Sequence, residues 1–111
     1  MEKKEYPENT IRLAKEMGHI FNKELLPLFM KKNSNYSGTG HFDNIGLLGE
    51  KGVLARVVDK TSRLYNILWE GLPNAVEDET VEDTWRDLIV YGFIALLVRR
   101  GLWEKKQENG S

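Results

Sequence analysis

The sequence predicts an all-α fold, a small helical bundle of three to four helices completed by oligomerisation. Three observations predict it. Apolar residues recur at three- and four-residue spacing through long segments, and no useful length of chain alternates apolar with polar residues as a strand would. The run from Leu88 to Val98 is apolar nearly all round but falls short of the roughly 20 residues a membrane span needs, so protein must surround it. In a chain of 111 residues, a helix covered on every side requires a partner subunit.

The elements follow in order. Residues 1–9 are charged, lack an apolar stretch, and read as a flexible start that is neither signal peptide nor anchor. From Thr10 onward Ile11, Ala14, Ile20, Phe21 and Leu25 keep helical spacing, with Arg12, Lys15, Glu16 and Lys23 between them, which predicts a first amphipathic helix. Pro27 cannot donate to a helix interior, so the helix either kinks there or restarts with the proline in its first turn. The stretch NSNYSGTGHFDNIGLLGEKG is dense in glycine, serine and asparagine, has no period, and reads as the one long internal loop. Its GTG is too short for a phosphate loop and reads as flexible. Its Tyr36, His41 and Phe42 either pin the loop to the core or contact a ligand, the two aromatic rings by stacking on a base.

The stretch GVLARVVDKTSRLYNILWEG is the clearest helix, with Val53, Leu54, Val57, Thr61, Leu64 and Leu68 on one side and Arg56, Asp59, Lys60 and Arg63 opposite. GLPNAV forms a turn. A third long helix then opens with capping-box spacing, Thr80 at the cap and Asp83 three residues on. Gly101 ends it, Arg99 and Arg100 suit the negative end of its dipole, and residues 104–111 form a solvated tail. A single helical domain therefore spans residues 10–103.

Composition narrows the function classes. Hydrophobic residues at 41% and charged residues at 30% are the balance of a soluble globular domain, and a chain this size hides roughly two-thirds of its unfolded surface, enough for one modest core. Sixteen basic and seventeen acidic side chains leave a net charge of -1, too little field to hold nucleic acid or anionic lipid. Neither a membrane nor sequence-specific nucleic acid is an expected partner. The absence of cysteine removes disulfides and thiolate chemistry, and two histidines make a structural zinc a poor fit; a cytoplasmic location suits this composition. His19 suits packing or the surface, and Trp69, Trp85 and Trp103 suit core or subunit contact.

Chemistry concentrates in two charged stripes. Six of the eleven residues from Glu77 to Asp87 are acidic, and Glu79, Asp83 and Asp87 fall in one helical column. The helix dipole accounts for acids in the first turn, but not for Asp87, which sits two turns in beside the apolar run and needs a cation or hydrogen-bonding partner. Arg56, Asp59, Lys60 and Arg63 form the second stripe. These charges either make ordinary helical ion pairs or face each other across a cleft between the second and third helices. In a cleft, Asp59, Asp83 and Asp87 surround a hard cation such as Mg2+, and Arg56, Lys60 and Arg63 grip anionic oxygens, a combination suited to a nucleotide.

The runs LLPLFMKKNSNY, ARVVDKTSRLYNIL and EDETVEDTWRDLIVYGFIAL resemble the small phage and bacterial family called nucleotide modification associated domain one. Its members share KN-x-x-Y, R-x-x-D-K-x-x-R-L and D-E-x-x-E-D-T-x-x-D-L-x-x-Y, and the resemblance covers nearly all the chain apart from its ends. That family is similar in outline to the all-α, MazG-like nucleoside triphosphate pyrophosphohydrolases, in which carboxylates on two helices hold magnesium on the triphosphate while water attacks.

The resemblance implies metal ligation by Glu79, Asp83 and Asp87, although their spacing here is four and four instead of three, with Asp83 and Asp87 as catalytic carboxylates of a metal-dependent phosphoanhydride hydrolase; Asp59 joins the metal ligands only in the cleft reading of the stripes. The first motif departs from that pattern. Where those enzymes carry glutamates, this chain offers one aspartate among Arg56, Lys60 and Arg63, which suits gripping phosphate more than holding several ions. The leading expectation is an oligomeric nucleotide-binding protein of a bacterial or phage-infected cell, with Tyr36 or Phe42 against the base. Two alternatives stand beside it: a non-enzymatic sponge that sequesters a nucleotide immune signal, and a protein-binding adaptor whose charge pairs are structural.

Overall fold

The computed structural model describes residues 5–36, 48–75 and 78–103. Among them every regular element is helical: α1 (Glu8–Ile20), a π-turn (Phe21–Leu25), α2 (Leu26–Tyr36), α3 (Glu50–Leu64), a second π-turn (Tyr65–Trp69) and α4 (Val81–Arg99). The all-α expectation holds. No helix among the described residues is long and apolar enough to cross a membrane. His41, Phe42 and the GTG lie outside the described residues.

Pro27 restarts the first helix without breaking it. The backbone winds into a π-turn just before the proline, with the Leu26 N–H reaching back five residues to the Phe21 carbonyl, and Pro27 becomes the second residue of α2. The wider turn shifts the hydrogen-bond register by one residue, so the missing N–H falls in a first turn, where it is tolerated.

Thr80 and Asp83 close the predicted capping box at the start of α4: each side chain accepts from the other's backbone N–H at 3.0 Å. Gly101 ends that helix with φ +72°, and two reverse bonds, Gly101 N–H to Val98 and Leu102 N–H to Leu97, close a Schellman turn. Arg99, beside this end, bonds Glu50 at the start of α3 at 2.8 Å. The two helices therefore run antiparallel, and the charged second half of α3 meets the acidic first half of α4.

The core is Leu25, Val53, Val90, Tyr91 and Ile94, extended by Phe21, Leu28, Phe29, Val57 and Trp103 around it. Trp103 meets the Phe29 ring edge-on at 6.3 Å, as a core tryptophan should. Trp69 and Trp85 stay exposed.

Two expectations about the apolar faces need correction. Val53 and Leu64 are buried, but Leu54 and Leu68, expected on the same side of α3, are 59% and 58% exposed. With Val58, Thr61 and Tyr65 they form a separate row. Three-four spacing fits both rows equally, so periodicity alone cannot show which one the rest of the chain covers. On α4, likewise, Val90, Tyr91 and Ile94 are buried while Trp85, Ile89, Phe93 and Leu96 are exposed. Among the described residues, α4 is covered on one side only.

Candidate functional site

The site begins with Asp87. It lies at the end of the second turn of α4 and is only 8% exposed, which in an apolar surrounding requires a partner for its charge. Two lysines supply it. Lys60 of α3 places Nζ 3.1 Å from Oδ2, and Lys32 of α2 places Nζ 3.5 Å from Oδ1. The Lys32 ammonium also lies 5.7 Å from the centre of the Tyr91 ring, on its face. Three helices thus converge on one carboxylate.

Lys60 carries the network onward. Its Nζ donates to Glu79 Oε2 at 2.8 Å, and the same oxygen accepts from the Thr84 hydroxyl at 2.8 Å. Burial works against the charge on Lys60, but the hydrogen bonds to Glu79 and Asp87 outweigh it and hold the ammonium above the ordinary lysine value. The Lys60 hydrogen bond holds Glu79 below the ordinary glutamate value, with burial opposing and the Thr84 hydroxyl assisting.

Arg63 does a different job. Its Nε donates to the Thr84 hydroxyl at 3.0 Å, Nη1 to Asn74 Oδ1 at 2.8 Å, and Nη2 to the Glu79 carbonyl, which also accepts from Asn74 Nδ2 at 2.9 Å. All three guanidinium nitrogens fasten the α3–α4 connection to the start of α4. Thr84, with no exposed surface, is the buried hub of that fastening. Asp83 is likewise structural: its backbone bond from Thr80 lowers its proton affinity, and its second oxygen accepts from Arg86 at 2.9 Å. Arg86 then reaches Glu24 of the first π-turn at 2.8 Å.

Two clefts share the Lys32–Lys60 wall. The larger, of about 740 Å³, takes in Glu79, Asp83 and Asp87 together with Glu24, Lys31 and Arg86. The smaller, of about 360 Å³, is lined by Lys32, Arg56, Asp59, Lys60, Arg63 and Tyr91, so four cations there meet one carboxylate. The predicted stripes therefore do converge: Lys60 and Arg63 touch Glu79, and Lys60 touches Asp87. Asp59 is exposed on the far side of the wall and does not join Asp83 and Asp87. The Tyr36 side chain, like Phe42, lies outside the described residues.

Each of these carboxylates already has partners within the protein. Asp87 is engaged by two lysines, Glu79 by Lys60 and Thr84, and Asp83 by its cap and Arg86. Among the described residues no three acidic or histidine side chains converge where a metal ion could be held.

Sequence patterns missed Lys32 and Thr84. Both stood inside conspicuous segments, Lys32 in KNSNY and Thr84 in EDTW, but one of two adjacent lysines within a helix and a threonine four residues past a cap carry no periodic signal. No protein-family model, curated protein or solved structure matches the chain.

Proposed function

We propose that the chain binds a nucleotide or nucleotide-derived phosphate compound in the paired clefts, with phosphate oxygens against Lys32, Arg56 and Lys60. One observation carries this reading. Three separate sequence segments, KNSNY, RVVDKTSR and DETVEDTWRDLIVY, line the smaller cleft, through Lys32, through Arg56, Lys60 and Arg63, and through Tyr91, and in that cleft four cations meet one carboxylate. Lysine and arginine grouped around a concave surface are suited to a multiply charged anion, and an entering phosphate takes over from Glu79 and Asp87 as the partner of Lys60.

Arg63 stays on the scaffold as the clamp of the connection. The engaged state of Glu79, Asp83 and Asp87 supports binding over turnover. Magnesium, where it takes part, enters on the ligand's own phosphates, since that ion commonly keeps most of its waters and uses one or two protein carboxylates.

Calorimetric titration with a panel of nucleoside triphosphates and cyclic nucleotides tests the proposal, followed by analysis of the recovered ligand. Saturable binding that weakens at least about tenfold, or about 1.4 kcal/mol, in Lys32→Ala and Arg56→Ala supports it. Intact recovered ligand identifies a binding protein; released pyrophosphate, abolished by Asp87→Asn, identifies a hydrolase. No heat and no saturation with any compound leaves the charges as structural pairs and sinks the proposal.

A further inference from the structure

Among the described residues, nothing covers one face of the first helix. None of the thirteen residues of α1 is buried, and among the described elements its main packing is against the π-turn that follows it in sequence. Ile11, Leu13, Met17 and Ile20 are 44%, 48%, 68% and 41% exposed. With Ala14 and Gly18 they occupy about half the circumference, while Glu8, Arg12, Lys15, Glu16 and His19 take the other half. Helices this short are marginal in water when nothing covers their apolar side. The row Ile11, Ala14, Gly18 also runs directly into Phe21 and Leu25, which pack into the core, so one continuous stripe is covered in its second half and bare in its first.

We infer that α1 is a self-association arm, and that its bare stripe is covered by α1 of a second copy of this chain, running antiparallel. The charges on the stripe's edge select both partner and direction. Ile11, Ala14, Gly18 and Phe21 follow the three-four spacing of a coiled-coil seam, which leaves Glu8 and Lys15 on the same flank, seven residues apart. An antiparallel pairing that seats Ile11 against Ala14 of its mate brings Glu8 beside Lys15 of the mate, and by symmetry does so twice. A parallel pairing sets Lys15 near Thr10 and forms no opposite-charge pair on this flank.

Small Ala14 and Gly18 allow close approach of the two axes. The mixed charges of the polar half differ from the lysine- and arginine-rich face of a helix that lies on a membrane. One helix pair roughly 20 Å long is a narrow interface. Phe21, with its ring centre 5.2 Å from that of Phe93, joins the arm to the exposed row Ile89, Phe93 and Leu96 of α4, which widens the apolar surface toward the size of a stable dimer contact.

Sedimentation of the full chain is expected to give a mass of twice 12.8 kDa. Because Met17 is 68% exposed, Met17→Glu is expected to give folded monomer with the wild-type thermal core. Lys15→Glu should weaken the dimer at least tenfold, and the combined Glu8→Lys and Lys15→Glu should restore it. The chain has no cysteine, so register is read directly: an oxidised mixture of Ile11→Cys and Ala14→Cys chains should yield more covalent dimer than either chain alone. A wild-type monomer at every concentration, or a dimer indifferent to Met17→Glu, overturns the inference. So does binding of monomer to anionic lipid vesicles through α1.

Discussion

Lys60 and Asp87 meet across the seam of α3 and α4 with 3.1 Å between Nζ and Oδ2, in a place where the carboxylate is nearly shut off from water. A charge so placed is costly alone and tolerable in company, so the pair is best understood through what each partner prevents. Lys60 keeps Asp87 from standing in the core with only Lys32, and Asp87 keeps two ammonium groups from repelling each other.

Removing one partner should therefore cost more than removing both. Lys60→Met is expected to lower stability by about 1–3 kcal/mol, since Asp87 loses its nearer cation. Lys60→Met combined with Asp87→Leu should recover part of that loss. Urea unfolding of the three proteins measures it; equal or additive losses would mean that the two groups do not compensate each other.

Arg63 fastens the connection ahead of α4 through Thr84, Asn74 and the Glu79 carbonyl. Arg63→Lys keeps the charge but loses the fork, and is expected to destabilise by about 1–3 kcal/mol, comparable to Arg63→Ala. Hydrogen exchange at residues 78–84 should accelerate in both variants. Wild-type protection in Arg63→Lys would show that charge alone holds the connection.

Glu79 should govern part of the acid limb of stability. Its folded proton affinity lies below the ordinary glutamate value, so the folded state binds fewer protons than the unfolded chain between the two values. The resulting stabilisation is complete above the unfolded value near 4.5 and disappears as pH falls through the lower folded one. Glu79→Gln is expected to flatten that limb in melting curves taken across acid pH. An unchanged slope would remove Glu79 from the network.

The capping box gives the most local prediction. Thr80→Ala leaves the Asp83 N–H without its side-chain acceptor and should cost about 1 kcal/mol, while Thr80→Ser should cost much less. Thermal denaturation distinguishes them, and equal melting temperatures for alanine and wild type would contradict the cap.

Local rules of the chain were legible because they act over a few residues. Thr80 with Asp83, Gly101 after Val98 and Pro27 before a helical restart each declare a boundary through backbone chemistry. The need of Asp87 for a cation was legible too, from a carboxylate set against an apolar run. Which cation answers it was half legible: Lys60 stood on a visible stripe, whereas Lys32 arrives from a helix whose crossing depends on packing. The two rows of α3 show the limit most clearly. Val53 and Leu54 are neighbours of similar hydrophobicity, one buried and one bare, and only the position of α4 decides between them. Arg63 shows the same limit in a charged residue, because its three acceptors lie 11 to 21 residues away in sequence.

A crystal soaked with a nucleoside triphosphate panel tests the binding proposal most directly. Phosphate oxygens within hydrogen-bonding distance of Lys32 and Lys60, with Glu79 turned away from the Lys60 ammonium, is the predicted result. Density for the nucleotide on another surface, or none while Lys60 still bridges Glu79 and Asp87, would contradict it.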